Sequence, residues 1–168
     1  MRHFQIIAAS AVLALAACDS GEAPKQEAAP EVPATVAAGE YSFTSEVTKL
    51  TSTDKSTPST ALKMGAKEEG KTCVGADGKL DAALFTEKGD KCSETASFIR
   101  SGRISVQYQC NRAGKGGLYP NADGNYTADG FEVMANSASQ FSGTGDYQVT
   151  RHIVAKRTGD CTAAPAAG

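Results

Sequence analysis

Apolar and polar residues alternate along several stretches of the chain, and this pattern is typical of half-buried β-strands. One such stretch lies near the C-terminus, where every second residue from Tyr147 to Ala155 is apolar except Arg151. A similar alternation covers residues 39–47, and residues 124–135 contain two further strand segments. We therefore expect a mainly β fold, built as a small antiparallel meander, sandwich or open barrel.

Two alternating runs on either side of the turn at residues 100–102 predict a β-hairpin. A three-residue loop with glycine in the left-handed conformation sets apolar residues opposite one another and Cys92 opposite Cys110. A two-residue loop shifts the register by one residue and sets Phe98 opposite Ser105. The three-residue loop is therefore the predicted one, with a cross-strand Cys92–Cys110 disulfide.

Other stretches predict the connections between these strands. Residues 79–88 have apolar residues at helical spacing and predict one short helix, and residues 61–64 predict a short strand. Stretches rich in Ser, Thr, Gly or charged residues are interpreted as turns and loops: residues 48–60, 67–71, 114–117 and 136–145.

The first residues have the form of an export signal. A basic start is followed by an apolar run over residues 4–17 that is too short to span a bilayer. The run ends in Leu15-Ala16-Ala17-Cys18, which resembles the lipobox of bacterial lipoproteins. In a lipobox the cysteine is acylated and becomes the first mature residue, so Cys18 is the predicted lipidation site and membrane anchor. The alternatives are an ordinary secretory peptide or a buried helix.

Four segments follow from these patterns. Residues 1–17 are the predicted lipoprotein signal peptide, and residues 18–38 are a lipidated cysteine with a proline-bearing, disordered tether. Residues 39–161 are the predicted β-rich domain, and residues 162–168 are a flexible tail of small residues.

Cysteine usage indicates an oxidising compartment. The chain has five cysteines, and four of them follow Cys18. An even number in an exported protein favours disulfides over a four-thiolate zinc site or free thiols, and the close C-x-x-C spacing of zinc knuckles is absent from the sequence. With Cys92 bonded to Cys110, elimination leaves Cys73 to pair with Cys161.

The charge balance limits the partners. Loss of Arg2 with the signal peptide leaves 16 of the 17 basic residues against 19 acidic ones, a formal charge of −3. This mild acidic excess argues against a nucleic-acid partner and against a basic patch for anionic lipid.

A family resemblance rests on particular residues. Gly39-Glu40-Tyr41, the cysteines at 73, 92 and 110, and the closing Lys156-Arg157-Thr158-Gly159-Asp160-Cys161 resemble the exported bacterial proteins of domain-of-unknown-function family 3617. The resemblance covers roughly residues 38–161. It implies an exported β-rich domain and supplies neither an activity nor site residues.

Candidate catalytic and metal-binding patterns in the sequence are weak. His152 is the one histidine after the signal peptide, and alternation places it on the polar face of the last strand, where a surface histidine is the simpler interpretation. Asn121, Asp123 and Asn125 have the spacing of a calcium loop, but Tyr126 stands where the required glycine should be. A β-turn is therefore preferred.

Two basic or glycine-rich patterns remain. Gly114-Lys115-Gly116-Gly117 lacks the spacing of a phosphate-binding loop and is interpreted as a hairpin loop. Several basic side chains on the C-terminal strands form either an anion-binding face or, more simply, a solvated strand face: Arg103, Arg112, Lys115, Arg151, Lys156 and Arg157.

These observations favour a non-enzymatic, membrane-anchored lipoprotein of the bacterial cell envelope, with its domain outside the cytoplasm and most simply on the periplasmic side. We expect it to bind a small ligand or another envelope component, without a cofactor, metal or nucleic acid. The alternatives are a structural or stress-related lipoprotein without ligand, or a carboxylate-based envelope hydrolase. An apolar pocket would favour binding, a filled interior the structural role, and two carboxyl groups in one cleft the hydrolase.

Overall fold

Seven antiparallel strands form a single sheet in the computed structural model, which describes residues 32–161. The strands are β1 (Gly39–Ser52), β2 (Lys67–Val74), β3 (Lys91–Arg100), β4 (Arg103–Arg112), β5 (Gly116–Tyr126), β6 (Gly130–Phe141) and β7 (Tyr147–Gly159). Their order in the sheet is β2-β1-β7-β6-β5-β4-β3, so β2 and β3 form its two edges and the sheet stays open. The predicted mainly antiparallel β fold is confirmed.

One face of the sheet, here called the inner face, carries the core. The alternation in sequence places every second side chain of β4, β5, β6 and β7 on this face, where most of them are buried. Chain segments outside the sheet cover the face and contribute Val36, Leu80, Leu84 and Phe85 to the core. The inner face is therefore filled by the chain itself.

Tyrosines on the inner face hold these covering segments in place. The hydroxyl of Tyr41 donates to the carbonyl of Ala37 at 2.7 Å, and that of Tyr126 donates to Pro33 at 3.0 Å. The hydroxyl of Tyr108 donates to Leu80 at 2.6 Å. Each ring lies in the core while its hydroxyl satisfies a backbone carbonyl, as buried tyrosines require.

The packed part of the chain begins before Gly39. Val36 is 1% exposed, and the side chain of Thr35 lies against Gly78. The end of the stretch predicted as a tether is therefore part of the core. The segments predicted as the signal peptide, the lipidated Cys18 and the tail lie outside the described residues.

The predicted helix at residues 79–88 is reduced to one 3-10 turn, Ala82–Leu84. The side chain of Asp81 caps it by accepting from the backbone N–H of Ala83. Leu84 and Phe85 are buried in the core. The apolar spacing that predicted a longer helix therefore comes from a short turn that packs against the sheet.

The hairpin of β3 and β4 corrects the predicted loop. Its turn has two residues, Ser101 and Gly102, both with positive φ as a type I′ turn requires. Phe98 consequently faces Ser105, and it is exposed. A bulge at Thr95 inserts one residue and restores the register beyond it.

Two further predictions about turns and loops and one about a strand are wrong. Residues 67–71, interpreted as a solvated turn, begin strand β2. Charged side chains are compatible with an edge strand, because they prevent it from pairing with a further strand. Residues 61–64 form no strand. Strand β6 continues to Phe141 through the stretch predicted as loop, with Ser137 and Ser139 buried.

The two predicted disulfides are present with the predicted pairs. Cys92 and Cys110 are directly opposite each other in the β3–β4 ladder. Cys73 on β2 joins Cys161, which follows β7, across 88 residues of chain. The second bond ties the edge strand β2 to the end of the domain.

No helix among residues 32–161 has the length and apolar composition needed to cross a membrane.

Candidate functional site

The two ends of the sheet differ in character. At one end, here called the N-terminal rim, the chain enters β1 at Gly39 and residues 33–37 cover the sheet. At the other end, here called the far rim, β4 ends at Arg112 and β7 begins at Tyr147. A charged and polar cluster lies at the far rim, and it is the candidate site.

Arg112 is the centre of this cluster. Its Nε and Nη2 donate to the two carboxylate oxygens of Asp90 at 2.8 and 2.9 Å, and Nη2 also donates to Glu87 at 2.7 Å. Nη1 donates to the backbone carbonyl of Ser59 at 2.9 Å. The hydrogen bonds that Arg112 donates to Asp90 outweigh burial and raise the pKa of Arg112, so the guanidinium is fixed in its charged form.

Glu87 joins two other parts of the chain to this centre, the loop at residues 60–61 and the start of β7. Its carboxylate accepts from the Thr60 hydroxyl at 2.7 Å, from the backbone N–H of Ala61 at 3.0 Å and from the Tyr147 hydroxyl at 3.0 Å. Burial acts to raise the pKa of Glu87, but these hydrogen bonds and Arg112 outweigh burial and leave the pKa lowered. Burial and the Glu87 charge raise the pKa of Tyr147 to about 12, so its hydroxyl remains a donor.

The loop that supplies Thr60 is itself fixed. Asp54 accepts from the backbone and hydroxyl of Ser56 and from the backbone N–H groups of Gly145 and Asp146. These hydrogen bonds, led by those of Ser56, hold the pKa of Asp54 well below its usual range. Residues 53–60 are therefore docked against the β6–β7 connection.

A groove of about 460 Å³ opens at the far rim. Its walls are the 59–61 loop, the 87–90 loop and Arg112 with Ala113. A cavity of about 10 Å³ adjoins the groove and has room for about one water molecule. The groove and the cavity share three lining residues, Glu87, Asp90 and Arg112.

Two polar side chains of the inner face border the cavity without a partner. Arg151 is 4% exposed, and its Nε has no hydrogen-bond partner in the described part of the chain. The same holds for the Ser137 hydroxyl among residues 32–161. Burial lowers the pKa of Arg151, while Glu68 and Glu87 act in the opposite direction at longer range.

Residues singled out in the sequence mostly lie elsewhere. His152 is on the outer face, with its Nε2 2.6 Å from a carboxylate oxygen of Glu132. Asn121, Asp123 and Asn125 lie along β5 in extended backbone, so they do not form a loop around an ion. Within residues 32–161, no group of three or more His, Cys, Asp or Glu is arranged to hold a metal ion.

The glycine-rich stretch and most of the predicted basic residues lie away from the cavity, and Arg112 and Arg151 line it. Residues 114–117 form the β4–β5 turn and the start of β5. Arg103 and Arg157 are at the N-terminal rim, whereas Arg112 and Arg151 come together at the cavity. The predicted basic residues therefore do not form one face. Arg112 and Arg151, which meet at the cavity, are on the inner face.

Sequence reasoning missed most of the cluster. Glu87 lay at the end of the predicted helix, Asp90 just beyond it, and Ser137 in a predicted loop. One signal was available, because Arg151 interrupts an otherwise apolar face of β7. A charge in the buried register of a strand requires a partner or a ligand.

The comparisons with known proteins are limited to one family. The model of a family described as "Protein of unknown function (DUF3617)" matches residues 36–161. The search of curated proteins and the search of solved structures each found no match.

Proposed function

We propose that this chain, which belongs to the DUF3617 family of proteins of unknown function, is a non-enzymatic envelope lipoprotein that binds a small polar ligand at its far rim. The observation that carries the proposal is the groove of about 460 Å³, the walls of which are fixed by hydrogen bonds before any ligand arrives. A preorganised site loses less conformational entropy when it binds.

The position of the groove fits a domain on an anchor. Acyl chains on Cys18 would attach the chain to the membrane on the side of the N-terminal rim, where the chain enters β1. The 13 residues of β7 correspond to about 40 Å of extended strand between the two rims. The far rim is therefore at the opposite end of the sheet from the point where the chain enters it.

Two observations bear on the other candidate functions. The filled inner face favours a structural lipoprotein without ligand, which remains the second candidate. Glu87 and Asp90 share the groove, as a carboxylate hydrolase would need. Both accept from Arg112, however, and the lowered pKa of Glu87 makes it a poor general acid near neutral pH.

Native mass spectrometry of the full-length protein, extracted in detergent from its own host, tests the binding proposal. We expect a discrete added mass beyond that of the acyl chains. Ala61→Trp fills the groove from an exposed position and should abolish the added mass. Ala96→Trp is the matched control, since Ala96 is exposed on β3 and does not line the groove. A bare wild-type mass, or a ligand retained by Ala61→Trp, contradicts the proposal.

The anchor is tested separately. Cys18→Ala should remove the acyl mass and move the protein from the membrane fraction to the soluble fraction. If Cys18→Ala remains in the membrane fraction, acylation of Cys18 is not what holds the protein there.

A further inference from the structure

The outer face of the sheet, opposite the inner face, has a row of aligned side chains that crosses six strands. The register pairs each member of the row with the next, and every member is exposed. The row consists of Arg103 on β4, Asn125 on β5, Glu132 on β6, Val154 on β7, Thr44 on β1 and Glu69 on β2. Because neighbouring strands lie about 4.8 Å apart, the row extends over about 24 Å.

Three surface depressions follow this row from one end to the other. Their volumes are about 570, 560 and 530 Å³. The first and the second share Asn125, and the second and the third share Val154. The first also includes Phe98 of the edge strand β3, which lies opposite Ser105 of β4. Together they form one groove, here called the outer groove, which runs perpendicular to the strands.

The direction of the outer groove restricts the kind of chain that fits it. Peptides that bind a sheet through their backbone add to one of its edges and run along its strands. A chain in the outer groove crosses the strands instead, and their backbone groups are already paired with one another, so only side chains are available to it. A glycan meets this condition, because its hydroxyl groups both donate and accept hydrogen bonds and need no backbone partner.

The charges along the outer groove are balanced. Arg103 and Asp123 lie at its β4–β5 end, and Lys156 and Glu69 lie at the other end. None of these four side chains forms an ion pair with another residue between 32 and 161. A polymer with charges of one sign would meet a like charge at both ends of the groove, whereas a polymer without net charge would not.

The other side chains of the outer groove suit the two surfaces of a sugar ring. Asn125, Thr44 and Ser105 supply amide and hydroxyl groups, which can pair with sugar hydroxyls. Phe98 and Val154 are 41% and 38% exposed, and they supply apolar contacts for the C–H groups on the face of a sugar ring.

We propose that the outer groove binds a linear glycan without net charge, which lies across the strands from β4 to β2. The outer groove shares no lining residue with the far-rim groove, so this inference does not depend on the proposed function. It also gives a role to Asp123 and Asn125, which alternation along β5 places on the same face.

Isothermal titration calorimetry and NMR of the full-length protein in detergent micelles test this inference. The probes are chitohexaose and cellohexaose, two linear and uncharged hexasaccharides, with chitobiose and cellobiose as the short comparisons. At least one hexasaccharide should bind about tenfold more tightly than its disaccharide, because only the longer chain reaches all three depressions. Its chemical-shift changes should follow the row from Arg103 to Glu69.

Two variants separate binding by the groove from binding elsewhere on the outer face. Asn125→Ala should weaken hexasaccharide binding about fivefold, the effect of one lost hydrogen bond, at a nearly unchanged urea midpoint. Gln107→Ala is the matched control and should bind as the wild type does. Gln107 is an exposed amide on the outer face of β4 and lines none of the three depressions.

The inference is overturned if neither hexasaccharide binds, if hexasaccharide and disaccharide bind equally, or if Asn125→Ala and Gln107→Ala lose the same affinity. Tighter binding of a heparin hexasaccharide would overturn it in favour of a polyanion. Binding of a seven-residue Ser/Asn peptide, about 24 Å long when extended, without binding of the sugars would overturn it in favour of a peptide.

Discussion

The substitution Arg112→Met tests whether the far rim is held together from one point. It removes two hydrogen bonds to Asp90, one to Glu87 and one to the carbonyl of Ser59. The side chain of Asp90 is 1% exposed and that of Arg112 is 18% exposed, so this is a largely buried ion pair. Loss of one partner of such a pair costs about 3–5 kcal/mol, against about 0.2–1 kcal/mol for an exposed pair. We expect about 3 kcal/mol, because part of the cluster still meets solvent.

Urea unfolding at pH 7, followed by far-ultraviolet circular dichroism, measures this loss. The exposed Arg103→Met is the control and should stay within about 0.5 kcal/mol of the wild type. Arg112→Met/Asp90→Asn should recover part of the loss, since it removes one of the two stranded charges. A loss below about 1 kcal/mol, or a double variant as unstable as the two single losses added together, would refute the reasoning.

The same variant has a predicted pH dependence. The pKa of Glu87 is lowered in the folded protein from its usual value of 4.5. Its stabilising contribution is therefore complete above about pH 4.5 and is lost as the pH falls through the folded-state pKa. Arg112→Met removes one of the groups that lower this pKa, so the difference in stability between wild type and variant should shrink between pH 6 and pH 3. A difference that stays constant over this interval would contradict the assignment.

Three further predictions concern the rest of the fold. Replacement of Cys73 and Cys161 by alanine should cost about 4.5 kcal/mol in the loop-entropy model for a separation of 88 residues, measured by urea unfolding. Asp54→Asn should flatten the fall in melting temperature between pH 5 and pH 3, because the lowered pKa of Asp54 stabilises the fold above its usual value of 3.8 and this contribution is lost below it; equal slopes would contradict this. Gly124→Ala should cost about 1–3 kcal/mol, since its Cβ would clash with the backbone oxygen of Glu132 on β6, whereas the exposed Asn125→Ala on the same strand should be nearly neutral.

The β3–β4 hairpin shows how far alternation in sequence reaches. The strands and the opposition of Cys92 and Cys110 were predicted, yet the loop was wrong by one residue. The type I′ turn suits the twist of paired strands, and the bulge at Thr95 compensates for it. A bulge cannot be recognised in the apolar pattern of an exposed edge strand. The shorter turn and the bulge each shift the register by one residue, and the two shifts cancel before Cys92 and Cys110, so the sequence did not reveal either.

Strand β2 shows a second limit. Its first residues are charged and exposed, and they follow no alternation, because an edge strand is specified by its partner more than by its own side chains. The pairing of Glu46 with Lys67 lies on the outer face, where an ion pair contributes little. Pairing with β1 and the disulfide at Cys73 therefore determine the position of β2 more than its own side chains do.

The candidate site was hidden for a related reason. Glu87 and Asp90 lie more than 20 residues before Arg112 in the chain, in the loop between the turn at Ala82–Leu84 and strand β3. Alternation of apolar and polar residues in the sequence indicates which side chains are buried. It does not indicate which loops meet at one end of the sheet, and the cluster around Arg112 depends on that.

Arg151 differs from the other residues of the cluster, because the apolar register of β7 reveals it from sequence alone. Arg112 is hydrogen-bonded to two carboxylates, whereas Nε of Arg151 borders a small cavity and has no hydrogen-bond partner among the described residues. If stability alone selected this residue, an apolar side chain would serve at least as well. The urea midpoint of Arg151→Met tests this directly: a midpoint equal to or above that of the wild type shows that the fold does not use the charge, and a lower midpoint shows that it does.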